Sequence, residues 1–453
     1  MADLRIKFCG VESPNPFWLA SAPPTNTGDQ VRRAFDAGWG GAVWKTLGNP
    51  IANVSSRLGG VSYGSTKLMG LNNIELITDR PLAVNLREMA EVKKKHPKNV
   101  LIASLMVETK EEWKEIIKKV VDVGSDLLEL NFGCPHGMCE RGMGSAVGQE
   151  PKVLEEITRW AVEYSSVPVI IKLTPNIGDI LEPAYAAKKG GAHAVSLINT
   201  VKSIVGVDLD NMVPLPSVGD ASTNGGYCGP AVKPIALHLL SQIAREKDIN
   251  IPISGIGGIA NWRDAAEFMA LGSTTVQVCT AVMHYGYRIV EDMAEGLSDY
   301  LDSKGMASAQ ELVGRAVPQY KEWGDLDMNH HVVAKISPDK CIGCQLCYVA
   351  CMDGSHQCIH LPGMSDDEKR ARGHVAFPKD VPDVMALAKG APAGARVPFV
   401  HEEECVGCNL CQLVCPVDGC ITMETKRKGP ERLTWNDRVE SGYVVPGGLD
   451  ASK

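Results

Sequence analysis

The sequence predicts an α/β architecture: an eight-fold βα barrel of the TIM type, followed by a small α+β module of bacterial-ferredoxin character. Three observations carry that expectation. Eight short apolar runs alternate with amphipathic helical stretches over the first three-quarters of the chain. One of the last of these runs, Ile251-Pro-Ile-Ser-Gly-Ile-Gly-Gly-Ile259, passes straight into a glycine turn and then a helix. Beyond residue 340, two cysteine runs of identical spacing follow one another. At 453 residues the chain exceeds what one core usually serves, so two domains are expected, 1–328 and 329–453.

In chain order the strands are expected at Trp18–Ala22, Ala42–Lys45, Leu101–Met106, Leu127–Asn131, Pro168–Lys172, Ala194–Ile198, Ile251–Ser254 and Thr275–Cys279. Between them the pattern predicts helices such as Lys110–Val123, Pro151–Ser165, Ile180–Gly190, Val232–Glu246 and Trp262–Leu271. Pro151 suits a first helical turn, and the Gly190-Gly191 pair suits a helix stop. Strands that alternate with helices make a parallel sheet, and eight of them close a barrel. In that architecture function collects where strands end. The ends here are Ala22, Lys45-Thr46, Asn131, Lys172, Asn199-Thr200, Gly257-Gly258 and Cys279-Thr280, polar or glycine-rich together, which points to a single site.

After strand Leu127–Asn131 comes Phe132-Gly-Cys-Pro-His-Gly-Met-Cys-Glu-Arg-Gly-Met-Gly-Ser-Ala-Val-Gly148, a loop dense in glycine and able to fold tightly. Cys134 stands at its start. A thiol, ordinarily of pKa about 8.5, can act as general acid in one direction and base in the other. A buried cysteine that merely packs is the competing reading. After strand Ile251–Ser254, the bare amides of Gly255–Ile259 beside a helix N-terminus form a cradle for phosphate. The segment also fits G-x-G-x-x-A. The acidic residue that a dinucleotide site carries about 20 positions on is missing, because Thr275-Val-Gln-Val-Cys-Thr280 is neutral. A mononucleotide is expected, and flavin mononucleotide (FMN) if the chemistry is redox.

The cysteine runs are Cys341-x2-Cys344-x2-Cys347-x3-Cys351 and Cys405-x2-Cys408-x2-Cys411-x3-Cys415-Pro416. Ten of the 15 cysteines lie beyond residue 340, which in a reducing compartment means metal rather than disulfides. The spacing is that of two-cluster ferredoxins, in which the fourth cysteine of each run serves the other cluster. Two [4Fe-4S] clusters are expected, one on Cys341, Cys344, Cys347 and Cys415, the other on Cys405, Cys408, Cys411 and Cys351. A zinc ribbon wants two pairs per metal and fits poorly. Met352 stands where the second run has proline, an insertion spans about 360–399, and Cys358 and Cys420 are expected to pack. The hinge is placed near Asp325–His331. No second nucleotide fold remains, so a nicotinamide would belong to another polypeptide.

Apolar content of 44% and charged content of 22% describe an ordinary globular chain. A net charge of −8 without basic runs argues against nucleic acid. The opening residues hold no apolar core of a secretory signal, and no apolar run approaches the roughly 18 residues of a membrane span. A cytoplasmic protein is expected, with neither nucleic acid nor membrane as partner.

With Asn131-Phe-Gly-Cys-Pro-His-Gly-Met-x-Glu-Arg-Gly-Met-Gly144, Asn72-Asn-Ile-Glu-Leu76, Lys172-Leu-Thr-Pro-Asn176 and Asn199-Thr-Val201, the chain resembles the dihydropyrimidine dehydrogenases essentially end to end, differing in detail at Phe132-Gly133 and Cys139. The resemblance implies NAD-dependent reduction of uracil and thymine at the 5,6 bond, with FMN in the barrel and two [4Fe-4S] clusters behind it. It implies a hetero-oligomer with a subunit that carries FAD and further clusters and oxidises NADH. It makes Cys134 the catalytic acid on a mobile loop, protonating C5 while flavin N5 gives hydride to C6. Asn73, Asn131, Asn199 and Thr200 become the groups that bind the pyrimidine, whose N–H and C=O edges suit amide side chains. The flavin contacts become Ala22, Lys45, Thr46, Asn131, Lys172, Gly229, Gly257, Gly258, Cys279 and Thr280, with Lys172 and Lys45 supplying positive charge to reduced flavin. Thr280 replaces an expected serine and still offers a hydroxyl to phosphate. Two other readings stay open: a flavoenzyme of the dihydroorotate dehydrogenase kind, and an electron-relay subunit without a small substrate.

Overall fold

A computed structural model of the chain describes residues 1–49, 52–55, 57–135, 137, 142–361 and 397–442. It divides into two compact units, Met1–Tyr320 and Lys321–Lys453. The division falls just ahead of the hinge expected at Asp325–His331. Most of the insertion expected at 360–399 lies outside the described residues, as do loop positions 136 and 138–141.

The first unit contains a closed parallel barrel of eight strands: β1 (Phe17–Leu19), β2 (Gly41–Leu47), β3 (Val100–Leu105), β4 (Leu127–Asn131), β5 (Val169–Lys172), β6 (Ala194–Leu197), β7 (Ile253–Ile256) and β8 (Ser273–Val278). Each pairs with its neighbours in sequence, and β8 returns to β1 through Val276 against Phe17. All eight expected strands are present, shifted by a few residues at their ends.

The surrounding helices are α1 (Gly28–Ala37), α2 (Leu82–Lys95), α3 (Lys110–Asp122), α4 (Pro151–Tyr164), α5 (Leu181–Lys189), α6 (Lys233–Arg245), α7 (Trp262–Ala270) and α8 (Ile289–Ser303). Their boundaries follow from local chemistry. Thr109 caps α3 in a box with Glu112, and Trp113, Ile116, Ile117 and Val120 recur at helical spacing on the buried face. Asn261 and Asp264 form the same box at α7. After α5, Gly191 takes the left-handed conformation that ends a helix, with φ of +90°.

The barrel interior changes character along its axis. Apolar residues such as Leu128, Ile170 and Val195 are fully buried, yet Ser104, Glu129, Ser196, Ser254, Thr275 and Gln277 are buried too. In register, Ser104 lies opposite Glu129, Ser196 opposite Lys172 and Ser254 opposite Thr275. This polar layer serves the site described below.

One feature escapes the sequence pattern. Leu58–Tyr63, Thr66–Asn73, Gly225–Cys228 and Val201–Ser203 form a four-stranded antiparallel sheet that supplies Asn73 and Tyr227 to the site cavity. Its members come from two distant loops and include glycines that carry no periodic signal.

In the second unit, His330–Ile336 pairs antiparallel with Ile421–Arg427, and Ile359–His360 pairs with Phe399–Val400. The first two cysteines of each run sit on loops beside these strands, Cys347, Cys351 and Cys411 on the short helical turns that follow. Among the described residues no helix is long and apolar enough to cross a membrane.

Candidate active site and cysteine cavities

The strand ends of the first unit open into a cavity of about 280 Å³. Its walls include every barrel residue singled out above: Ala22, Lys45, Thr46, Asn73, Asn131, Cys134, Lys172, Asn199, Thr200, Gly229, Gly257, Gly258, Cys279 and Thr280. The pattern of strand ends therefore converges on one place. Glu75, Cys228 and Gln277 also line it and were not singled out. For Gln277 a signal existed: a lone amide inside an otherwise apolar and hydroxyl-bearing strand.

Asn131 organises one side. Its Nδ2 donates to Thr46 Oγ1 at 3.1 Å, and its Oδ1 accepts from Asn199 Nδ2 at 2.9 Å. Thr46 is linked in turn to Ser104 at 2.9 Å and Ser21 at 3.1 Å, while the Thr200 amide donates to Asn199 Oδ1 at 2.8 Å. Asn73 Oδ1 accepts from the Glu75 amide. Among the described residues Asn131 and Asn199 each spend one side-chain N–H on these bonds and Asn73 spends none, which leaves N–H groups for a ligand.

Cys134 is buried among Leu76, Ile77, Met106 and Met143 at the cavity wall. Its carbonyl accepts from the Ser145 amide at 3.0 Å, and a Cβ at Gly144 would lie 2.8 Å from that oxygen. Glycine at 144, with φ of +60°, is what lets the loop close on the thiol. The wall's other cysteines differ: burial pushes the Cys279 thiol up to about 12 and that of Cys228 upward as well, so both stay protonated.

Both buried lysines carry a carboxylate. Lys45 Nζ lies 3.2 Å from Glu75, and Lys172 Nζ lies 3.3 Å from Glu129. The positive charge expected of these lysines is thus compensated on the spot. Among the described residues Glu129 Oε1 has only that ion pair; its Oε2 accepts from Ser196 and Gln277, both at 2.8 Å.

The opposite end is backbone. Gly257 and Gly258 have φ of +128° and +75°. A Cβ at 257 would fall 2.8 Å from Ala236 Cβ, and one at 258 would fall 2.8 Å from Lys233 Cβ and 2.9 Å from the Gly229 carbonyl. The cradle closes only with glycine. A flavin mononucleotide fits these walls on two counts: the cradle offers amides to a phosphate, and Gln277 Oε1 is a buried acceptor with no partner among the described residues.

In the second unit, Cys341, Cys344, Cys347 and Cys415 line one small cavity, and Cys351, Cys405, Cys408 and Cys411 line another. Each groups three cysteines of one run with the fourth of the other. Gly343 and Gln345 in the first run, and Gly407 and Asn409 in the second, share left-handed φ of 62–70°. The two loops are one design used twice, and their four-thiol chemistry fits iron–sulfur clusters.

The dihydroorotate dehydrogenase family model matches residues 3–301, and a 4Fe-4S dicluster domain matches residues 340–419. Over 433 residues the chain is 44% identical to the NAD-dependent dihydropyrimidine dehydrogenase subunit PreA of Escherichia coli K12, spanning 95% of this chain and 98% of that protein. The chain belongs to the dihydropyrimidine dehydrogenase family. It is also 42% identical over 337 residues to the chloroplastic NADP(+) dihydropyrimidine dehydrogenase of Arabidopsis thaliana, across 72% of this chain and 79% of that one. Its barrel is 36% identical over 316 residues to the catalytic subunit of dihydroorotate dehydrogenase B (NAD(+)) of Pyrococcus horikoshii, across 69% of this chain and 98% of that one. As a family member it is an oxidoreductase subunit that joins a flavin-type dehydrogenase barrel to an iron–sulfur domain.

Proposed function

We propose that this chain is the pyrimidine-reducing subunit of an NAD-dependent dihydropyrimidine dehydrogenase, converting uracil or thymine to the 5,6-dihydro base. The observation that carries this reading is the meeting of Cys134 with Asn73, Asn131, Asn199 and Thr200 around one cavity. FMN held by the glycine cradle, Lys172, Thr46 and Thr280, and two [4Fe-4S] clusters held by the two cysteine sets, supply hydride and single-electron chemistry when bound. The residues of the chain do the rest. Cys134 delivers a proton from Sγ to C5, the amides fix the ring by its N–H and C=O edges, and Leu76, Ile77 and Met143 keep water from the thiol. Electrons come from a partner subunit bearing FAD and iron–sulfur clusters, in a cytoplasmic hetero-oligomer.

The barrel's match to dihydroorotate dehydrogenases favours a second substrate, orotate. Orotate carries a carboxylate, and a buried carboxylate needs a cation. Glu75 and Glu129 already occupy the two buried lysines. A neutral pyrimidine therefore suits the buried part of the cavity better, the further lining cation, Lys67, being on its exposed side. The test is anaerobic: protein reduced with dithionite is mixed with uracil, thymine or orotate, and flavin absorbance is followed. Uracil and thymine should restore the oxidised spectrum. Restoration by orotate alone would replace this reading with the second.

A further inference from the structure

Each cysteine cavity of the second unit contains a fifth thiol. Cys420 lines the cavity of Cys341, Cys344, Cys347 and Cys415, and Cys358 lines that of Cys351, Cys405, Cys408 and Cys411. Both are buried. The two positions correspond. Each cysteine immediately precedes an isoleucine that opens a strand, Ile359 or Ile421. Each approaches the same pair of partners in its own cavity, the first cysteine of one run and the last of the other. Cys358 Sγ lies 3.4 Å from Cys351 Sγ and within hydrogen-bonding reach of Cys405. Cys420 stands in the same relation to Cys415 and Cys341. Simple packing would be met by alanine or valine. It does not explain why a sulfur recurs at both places, each time against two sulfurs of the set.

We propose that Cys358 and Cys420 are reserve ligands, one for each iron–sulfur site. A thiol already beside the ligand sulfur can replace that ligand with little movement of the chain. The incoming thiol gives its proton to the departing cysteine, which leaves iron as a free thiol, and the incoming sulfur forms the new Fe–S bond where the old one breaks. No electrons change hands. The inference rests on the reading of both cavities as [4Fe-4S] sites, which the wild-type protein tests by itself: about eight irons per chain and a two-cluster signal in the dithionite-reduced electron paramagnetic resonance spectrum. A lower content in the wild type removes that reading before any variant is judged.

The experiment uses the full chain, purified without oxygen, with iron and acid-labile sulfide measured alongside the resonance spectrum. Cys415→Ala and Cys351→Ala should each keep the iron content of the wild type, with altered signals from the re-ligated site. The double variants Cys415→Ala/Cys420→Ala and Cys351→Ala/Cys358→Ala should drop to about half the wild-type iron. Cys420→Ala and Cys358→Ala alone should keep all of it. Where a single ligand variant fails to fold, Cys341→Ala or Cys405→Ala makes the same comparison from the other run. Equal iron loss in single and double variants overturns the proposal. So does iron loss from Cys420→Ala or Cys358→Ala alone, which would make the extra thiols structural.

Discussion

Glu129 and Lys172 form an ion pair inside the barrel, their oxygen and nitrogen 3.3 Å apart and both side chains nearly inaccessible. They stand on adjacent strands, β4 and β5, with Asn131 directly opposite Lys172 in the register. The pair binds the floor of the cavity to the polar layer beneath it through Ser196 and Gln277. It delivers a charged lysine to the site without leaving a net charge there.

Breaking such a pair from one side is costly, because the remaining charge stays buried. Glu129→Gln should destabilise the barrel by about 3–5 kcal/mol. Denaturant unfolding followed by the fluorescence of the buried Trp18, Trp39, Trp44 and Trp113 reads this directly. Adding Lys172→Met should recover most of the loss, since no unpaired charge then remains.

Cys134→Ala should leave the chain folded and its flavin bound and reducible, while pyrimidine turnover falls by about 100- to 10,000-fold, the usual worth of a positioned acid. Cys134→Ser offers a weaker acid. It should keep a small activity that rises with pH in the oxidative direction, measured with dihydrouracil and an artificial acceptor. Near-normal turnover in the alanine variant would remove the thiol from the reaction.

Gly133 is fixed by a neighbour. A Cβ there would lie 2.4 Å from Asn199 Cβ and 2.6 Å from its amide nitrogen. Gly133→Ala should push Asn199 off Asn131 and forfeit about 1–3 kcal/mol of hydrogen bonding. KM for uracil should rise by roughly 5- to 150-fold, with flavin content unchanged. A normal KM would mean that Asn199 does not bind the ring.

Much of this arrangement was legible in the sequence, because a βα barrel writes itself as repeated pattern. The eight strands follow from apolar runs and most of the site residues from being strand ends, whereas Asn73 and Gly229 follow only from the family resemblance. The cysteine sets follow from spacing alone. What stayed hidden has a common cause. Glu75 and Glu129 are read as acids in a sequence, but their pairing with Lys45 and Lys172 forms only in the fold, between adjacent barrel strands for Glu129 and between the segment after Asn73 and the barrel for Glu75. The antiparallel sheet beside the cavity joins segments more than a hundred residues apart, such as Asn72 and Tyr227. The fifth thiols looked like packing because nothing in a linear reading sets Cys420 beside Cys341.

Acid stability should report on another pair. Arg80 Nη1 donates to Glu88 at 2.8 Å, and Glu88 also accepts from the Gly28 amide at 2.7 Å, which ties α2 to the start of α1. The arginine holds the Glu88 carboxyl below its ordinary value of 4.5. A depressed carboxyl stabilises the fold above its unfolded pKa, and that share is lost as pH falls through the lower folded value. Stability should therefore decline below about pH 4.5, and Glu88→Gln should flatten that part of the profile while lowering stability at pH 7. An unchanged acid limb in the variant would assign the loss to other carboxylates.

The phosphate cradle can be tested without turnover. Gly258→Ala meets two obstacles: a left-handed backbone, worth about 1–2 kcal/mol to any residue with a Cβ, and contacts below 3 Å with Lys233 and the Gly229 carbonyl. Relief requires the glycine turn to move away from Gly229, and the amides that would face the phosphate move with it. Gly314→Ala is the control, since its φ of +77° is close to that of Gly258 but nothing lies within 4 Å of the added carbon, and it does not line the cavity. Both variants should lose similar backbone stability, whereas only Gly258→Ala should emerge with less than half the flavin of the wild type and regain it in excess FMN. Its iron should be unchanged, because the cysteine sets belong to the other unit. Equal flavin in the two variants would show that the cradle does not hold the cofactor.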